Sequence, residues 1–228
     1  MEIIIFARYW EPGRVKTRLC PPLTADEAAQ LNRLCLDALV ARLRGLDGFT
    51  VTIAYEPEAA RAFFAARYPG VALAPQQGAE LGEKLFALAA ARTAPCLFTG
   101  SDCPTTPLLF FRQAAQALSE GADAVFCPTE DGGTCILGAQ PQHAAWYRDI
   151  PWSSGRENRV LAEKARARQW RLAELELWHD LDRPTDVPRT VRELLDERKY
   201  ISEDEVIFLS TLDQRVARWL EEQKKGAA

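Results

Sequence analysis

The sequence predicts an α/β protein built on a mostly parallel central sheet with helices on both faces. Two observations carry that expectation. Apolar runs of strand length alternate with longer segments of helical period, and the charged, glycine-containing stretches fall just after the strand segments. In such sheets ligands bind in the crevice at the carboxyl ends of the strands, where these stretches would lie. With 228 residues, 47% apolar and 26% charged, the chain can bury the core of one substantial domain.

The elements follow in order. Ile3-Ile4-Ile5-Phe6-Ala7 forms the first strand and empties into the basic turn Pro12-Gly13-Arg14-Val15-Lys16-Thr17-Arg18-Leu19. Pro21-Pro22 breaks the chain. Thr24 with Glu27 makes a capping box for a helix carrying Leu31, Leu34, Cys35 and Ala38 on one face. Phe49 to Tyr55 reads as a strand, Pro57 to Arg67 as a helix, Val71 to Ala74 as a short strand and Ala79 to Arg92 as a helix. Cys96 to Thr99 is a buried strand ending in Gly100-Ser101-Asp102-Cys103-Pro104, followed by a helix over Pro107 to Leu118 and a strand over Asp123 to Cys127. Thr134 to Gly138 can add a further strand, with an antiparallel orientation among the options, and Trp170 to Leu177 a late one. Thr185 to Glu197 is the next helix. The last begins at the capping box Ser202 to Glu205 and runs to Lys224, with an apolar stripe of Val206, Leu209, Leu212, Val216 and Leu220. That stripe would pack on the body or on another subunit in a homodimer. One domain over 1–200 with a helical extension over 201–228 is the economical organisation.

Composition limits the partners. A net charge of −4 argues against nucleic acid, whose binding rests on many phosphate contacts by Lys and Arg, and favours a small molecule. The opening apolar run is too short for a signal peptide and lacks a basic leader, which predicts a cytoplasmic protein without a membrane segment. The six cysteines show no Cys-x-x-Cys pair and suit reduced packing residues. With only His143 and His179, a histidine-rich metal site is excluded.

Candidate chemistry gathers in the loops. If the segment after the first strand is extended, Arg14, Lys16 and Arg18 share one face while Val15 and Leu19 pack inward, and Gly13 lets backbone N–H groups approach an anion. The alternative is a solvated basic loop. Asp102 can hold a hard cation such as Mg²⁺ or Mn²⁺, which takes one or two protein carboxylates alongside substrate phosphates; it could equally cap the helix that follows. Glu130-Asp131-Gly132-Gly133 can serve a metal, a sugar hydroxyl or an acceptor proton, or simply turn a hairpin. Asp180 and Asp182 form a third acidic pair, with helix capping before Pro184 as the plainer role. Gln77, Gly78 and Gly82 surround a helix start whose N–H groups favour a phosphate or a base carbonyl. Trp152 can stack on a sugar or pack internally.

No Walker-type lysine loop, dinucleotide-binding glycine turn or serine-nucleophile elbow is present. What remains is a basic loop after the first strand with acids after later ones. These residues resemble the nucleotide-diphospho-sugar transferases of glycosyltransferase A fold, specifically the bacterial DUF2064-like group, some labelled arsenosugar-biosynthesis glycosyltransferases. The resemblance runs through Phe6-Ala7, the basic turn, Gly100 to Pro104, Glu130 to Gly133, Pro151-Trp152-Ser153 and Asp180 to Pro184, and covers Met1 to Leu195. It implies a Rossmann-like sheet and a nucleotide pocket made by the first loop, and with the residues read above the expected nucleotide contacts are Ala7, Gly13, Arg14, Lys16, Arg18, Gln77, Gly78, Gly82 and Ser101. It further implies a metal at Asp102 with Asp182 second. Asp131 would orient or deprotonate the acceptor, beside Glu130, Gly132, Gly133 and Trp152. Lys16 and Arg18 would neutralise the leaving group. Where the family commonly has aromatic residues after Gly133, this chain has Thr134-Cys135; Ser154 to Asn158 also departs, and the helix after Ser202 is additional.

The expected reaction is metal-dependent transfer of a sugar from a nucleoside diphosphate-sugar to a small acceptor. The same scaffold resembles small nucleotidyltransferases, in which a substrate phosphate attacks a nucleoside triphosphate and pyrophosphate leaves. A non-catalytic nucleotide-binding protein is a third reading. Fold does not choose between them.

Overall fold

Ile3, Ile4 and Ile5 are all fully buried, so the first strand presents apolar side chains to both faces, as a central strand of a parallel sheet must. The computed structural model describes residues 1–226 and places that strand, β1 (Glu2–Arg8), near the middle of a seven-stranded sheet. The others are β2 (Thr50–Glu56), β3 (Ala72–Pro75), β4 (Cys96–Gly100), β5 (Ala124–Pro128), β6 (Thr134–Ala139) and β7 (Leu172–Glu174). Their order is β3-β2-β1-β4-β6-β5-β7, and β6 alone runs antiparallel, pairing with both β4 and β5. The α/β expectation with a mostly parallel sheet holds.

Among the described residues there are seven α-helices: α1 (Ala25–Arg44), α2 (Arg61–Arg67), α3 (Leu81–Ala90), α4 (Leu108–Ser119), α5 (Glu157–Ala167), α6 (Val187–Asp196) and α7 (Glu203–Gly226). The chain divides into two compact units.

The first unit comprises Met1–Arg8, Leu43–Gly100 and Thr106–His179, and holds the whole sheet with α2 to α5. On one face Ile4, Phe98, Phe126 and Leu137 pack with Leu85 and Leu88 of α3, with Trp146 and Tyr147, and with Leu161 of α5. The opposite face carries α4, which buries Phe111, Ala114 and Leu118, and α2, whose Phe64 ring lies 5.6 Å from that of Tyr55. Gly138 of β6 sits on this second face. A Cβ there would meet Leu97 at 2.7 Å and Val125 at 3.0 Å, so its missing side chain makes room for neighbours on β4 and β5.

The second unit comprises Tyr9–Arg42, Ser101–Thr105 and the chain from Asp180 onward. Its core joins Leu31, Leu34 and Cys35 of α1 to Val187, Val191 and Leu194 of α6 and to Leu209, Leu212 and Val216 of α7, with Leu19 and Leu181 contributed by loops. The apolar stripe of the last helix is therefore turned inward within this unit. Both predicted capping boxes form: the Thr24 N–H donates to Glu27 Oε2 at 2.8 Å, and the Ser202 N–H to Glu205 Oε2 at 2.8 Å.

Three readings of the elements need correction. The stretch from Trp170 to Leu177 yields only three strand residues, because Leu175 and Trp178 bond to β5 as isolated contacts and not as a ladder. Pro57 to Arg67 starts with a 3-10 turn over Glu58–Ala60 before α2 begins. The sequence assigned no element to α5, whose surface is rich in Arg, Glu and Lys and which buries only Glu157, Leu161 and Ala165. None of the six cysteines forms a disulfide. Among the described residues, no helix is long and apolar enough to cross a membrane.

Leu209 is fully buried and Ile207, two residues earlier, is 64% exposed. Leu209→Ala should cost about 2–5 kcal/mol of unfolding free energy, and Ile207→Ser less than about 0.5 kcal/mol. Urea denaturation of the two variants checks that α7 is an integral part of its unit.

Candidate functional site

In the second unit, the loop after β1 is not extended. The Arg14 N–H donates to the Glu11 carbonyl, and Lys16, in the left-handed region at φ 50°, opens a 3-10 turn over Thr17–Leu19. Val15 and Leu19 are buried as expected. The common face for three cations is not formed: the side chains of Arg14 and Arg18 are 73% and 63% exposed, whereas that of Lys16 is 5% exposed. The left-handed turn at Lys16, whose cost is about 1–3 kcal/mol for a residue with a Cβ, breaks the alternation on which the expectation rested.

Lys16 is buried because it has partners. Its Nζ lies 2.5 Å from Asp102 Oδ1 and also donates to the Leu181 carbonyl. Burial by itself would push the ammonium pKa down, yet the charge and hydrogen bond of Asp102 hold it above the usual lysine range. Lys16 therefore stays charged. The same burial pushes the Cys35 thiol up to about 12, so it remains a neutral packing group.

Asp102 is not a helix cap. Its side chain is 58% exposed, and α4 starts beyond Pro107 with no side-chain cap. One carboxylate oxygen serves Lys16, while Oδ2 makes no hydrogen bond among the described residues. The Leu181 N–H donates to the Asp102 carbonyl at 2.9 Å, tying the two acidic segments together through their backbones. Asp182 Oδ2 accepts from Arg18 Nη1 at 2.7 Å. Capping before Pro184 falls to Asp186, whose Oδ2 accepts from the N–H groups of Asp182 and Arg183 at 3.0 and 2.6 Å. Lys16, Arg18, Asp102 and Asp182 are thus joined within this unit, and Arg14 pairs separately with Glu11 at 3.4 Å.

Arg42 and α6 form a support that the sequence did not reveal. Arg42, 3% exposed, donates to the Pro104 carbonyl at 2.6 Å and to the Thr105 carbonyl at 3.5 Å, and pairs with Glu197 at 2.9 Å. Thr105 Oγ1 donates to Glu193 Oε2 at 2.6 Å. Both ends of the Ser101–Thr105 segment are thereby held, one by Leu181 and the other by Arg42 and Glu193. An arginine inside α1 gives no local cue that it reaches residues sixty positions later.

No group of three or more His, Cys, Asp or Glu side chains able to hold a metal occurs among the described residues. The donor set still fits Mg²⁺ or Mn²⁺, because Asp102 offers one exposed, unbonded carboxylate oxygen and such ions take most of their ligands from water and phosphate.

In the first unit, residues 129–133 close the hairpin between β5 and β6. Asp131 Oδ1 accepts from Thr129 Oγ1 at 2.6 Å and from the Gly133 N–H at 2.9 Å, so part of its carboxylate is occupied in shaping the turn. Gly132 has φ +92°, and a Cβ on it would lie 2.1 Å from the Gly155 carbonyl oxygen. The Asn158 N–H donates to the Gly132 carbonyl at 3.2 Å, and its side-chain amide, nitrogen toward the hairpin, donates to the Gly133 carbonyl at 3.2 Å. The hairpin is therefore locked onto the start of α5. Glu130 is exposed, and its N–H donates to the Trp178 carbonyl at 3.0 Å.

Around α3 the expectations change. The N–H groups expected to meet a ligand are partly satisfied by Glu83, whose carboxylate accepts from the Ala79 N–H at 2.8 Å. Gln77 and Gly78 are exposed, and the neighbouring Gln76 instead makes the bonds, donating to the carbonyls of Ala54 at 2.8 Å and Ala7 at 3.2 Å. Gly82 is buried because its backbone touches the Tyr147 carbonyl and the Trp152 indole, which a Cβ would approach to 2.5 and 2.7 Å. Trp152 packs against this same core, which favours the internal role over stacking on a ligand.

This seven-strand α/β architecture, with a basic loop after its first strand and acids after later ones, belongs to the transferase-like class that the comparisons bring out. The chain belongs to the family described as an uncharacterized protein conserved in bacteria, DUF2064, whose model matches residues 39–154. A protein of Desulfovibrio desulfuricans G20 assigned as a nucleotide-diphospho-sugar transferase superposes with a TM-score of 0.84 at 27% identity, over 96% of this chain and 97% of its own. A CMP:2-keto-3-deoxy-manno-octonic acid synthetase in complex with CTP aligns with a TM-score of 0.56 at 12% identity, over 86% of this chain and 98% of its own. A cytidylyltransferase of Leptospira borgpetersenii aligns with a TM-score of 0.54 at 14% identity, over 99% and 94%. These last two likenesses are of fold alone. No curated protein matches the chain.

Arg42→Met should cost about 2–4 kcal/mol by leaving the Pro104 carbonyl and Glu197 without their partner, measured as a fall in the urea midpoint. Gly132→Ala should destabilise the hairpin by more than about 1 kcal/mol, seen as faster amide exchange in residues 129–134, since both its φ and the Gly155 contact oppose a side chain.

Proposed function

We propose that the chain is a metal-dependent transferase that binds a nucleoside diphosphate-sugar and moves the sugar to a small acceptor. The observation carrying this reading is the pair of linked cation-carboxylate contacts, Lys16–Asp102 and Arg18–Asp182, in one compact unit. Cations beside carboxylates are the parts needed to receive a diphosphate together with its metal. Arg18 and Arg14, both exposed, are the side chains able to reach a phosphate, and Lys16 supplies a fixed charge behind Asp102. Mg²⁺ or Mn²⁺ held by Asp102, with Asp182 as the second carboxylate, would neutralise charge on the leaving diphosphate. Within this unit the nucleotide contacts would also draw on Gly13 and Ser101.

On the acceptor side, Asp131 would use the carboxylate oxygen not spent on the hairpin to orient or deprotonate the acceptor, next to Glu130, Gly132 and Gly133. One observation favours nucleotidyl transfer as the second reading: Asp131 already accepts two hydrogen bonds within its turn. An attacking phosphate is ionised and needs no carboxylate base, so that reaction asks less of Asp131.

A thermal-shift screen of nucleotides and nucleotide-sugars with Mg²⁺ or Mn²⁺ tests the donor. A ligand at about 100 times its Kd adds about 2.7 kcal/mol, a rise of about 5 °C or more for a chain of this size. Asp102→Asn should abolish the metal-dependent part of that rise. A variant that keeps it removes Asp102 from the metal role, and a screen in which no nucleotide shifts the melting point removes the donor reading. With an active donor, release of a nucleoside diphosphate supports sugar transfer, and release of pyrophosphate from a triphosphate supports the alternative.

A further inference from the structure

We propose that Lys16 is an internal counter-ion that satisfies Asp102 in place of a metal, so that a divalent cation enters this site only together with a diphosphate group. This inference rests on the donor reading above and adds an order to it. Nζ of Lys16 holds a carboxylate oxygen and a main-chain carbonyl oxygen, the two kinds of ligand that a hard cation takes from a protein. The side chain is 5% exposed, so the ammonium does not leave the position freely.

The charge balance follows from the second pair. Asp182 is already matched by Arg18, so the four linked groups sum to no net charge. With no cluster of three acidic or histidine ligands among the described residues, a lone divalent ion at Asp102 would set two further positive charges beside the Lys16 ammonium, which already shares that carboxylate. A diphosphate brings about one negative charge per phosphorus, which removes that penalty. Asp102 Oδ2, exposed and without a hydrogen bond, can then accept the ion while Oδ1 stays with Lys16. The consequence is positive coupling: metal and diphosphate each tighten the binding of the other.

Water-proton relaxation enhancement by Mn²⁺ reads this directly, because the signal rises when the ion tumbles with the protein. The probes are Mn²⁺ alone and Mn²⁺ with inorganic pyrophosphate, measured on the full chain. The wild type should bind Mn²⁺ alone weakly, and pyrophosphate should tighten it by about tenfold or more. Lys16→Met and Lys16→Gln should bind Mn²⁺ alone about tenfold tighter than the wild type, with less dependence on pyrophosphate. Lys16→Arg, which keeps the charge, should behave like the wild type. Mn²⁺ binding to the wild type that is tight and indifferent to pyrophosphate overturns the counter-ion role while leaving the donor site standing. Absence of Mn²⁺ binding to every form, with or without pyrophosphate, overturns both. The coupling in the wild type needs no variant, so a misfolded substitution does not rescue the proposal.

Discussion

A buried ammonium organises the second unit. Lys16 lies between the Asp102 carboxylate and the Leu181 carbonyl, and so joins three segments that are remote in sequence: the loop after β1, the segment after β4 and the acidic segment before α6. A lone charge in such a place would be costly, and its partners make it tolerable. Because each partner is itself anchored, by the Leu181 N–H on one side and by Arg42 and Thr105 on the other, the contact holds a geometry and not only a charge. Arg18 and Asp182 repeat the pairing at the exposed rim, where solvent weakens it.

The first unit solves a different problem. Its sheet admits one reversed strand, β6, and the hairpin that reverses it uses Asp131, Gly132 and Gly133 to do so. The same three residues are the candidates for acceptor contact. A turn held by its own aspartate and pressed against Gly155 is rigid, a property that suits the positioning of a substrate, but the hydrogen bonds that confer it draw on the same carboxylate that chemistry would use. Proteins of this fold are assigned both as nucleotide-diphospho-sugar transferases and as cytidylyltransferases, so the fold does not by itself choose the reaction.

Much of the site was legible because the residue types announce themselves by position. Acids directly after β4 and before α6, and cations directly after β1, mark loops at strand ends whatever their detailed shape. The direction of each side chain was not legible. Lys16 turns inward where Arg14 and Arg18 turn outward, because one left-handed residue destroys the alternation that a strand would have imposed. Gln76 bonds to two strands and Gln77 to neither, a difference of one residue at the end of β3 that periodicity does not resolve. Arg42 was passed over, since a charged residue within a helix looks solvent-facing until its distant partner is known.

By itself the sequence determined the element order apart from α5, the parallel character of most of the sheet and both capping boxes, because these follow from local periodicity and from backbone groups satisfied by near neighbours. Tertiary structure alone decided which charges pair, that Gly82 and Trp152 are matched packing surfaces, and that the last helix completes a core with α1 and α6. Those outcomes depend on contacts between residues far apart in the chain, where burial and the need to compensate each buried charge select one partner among many.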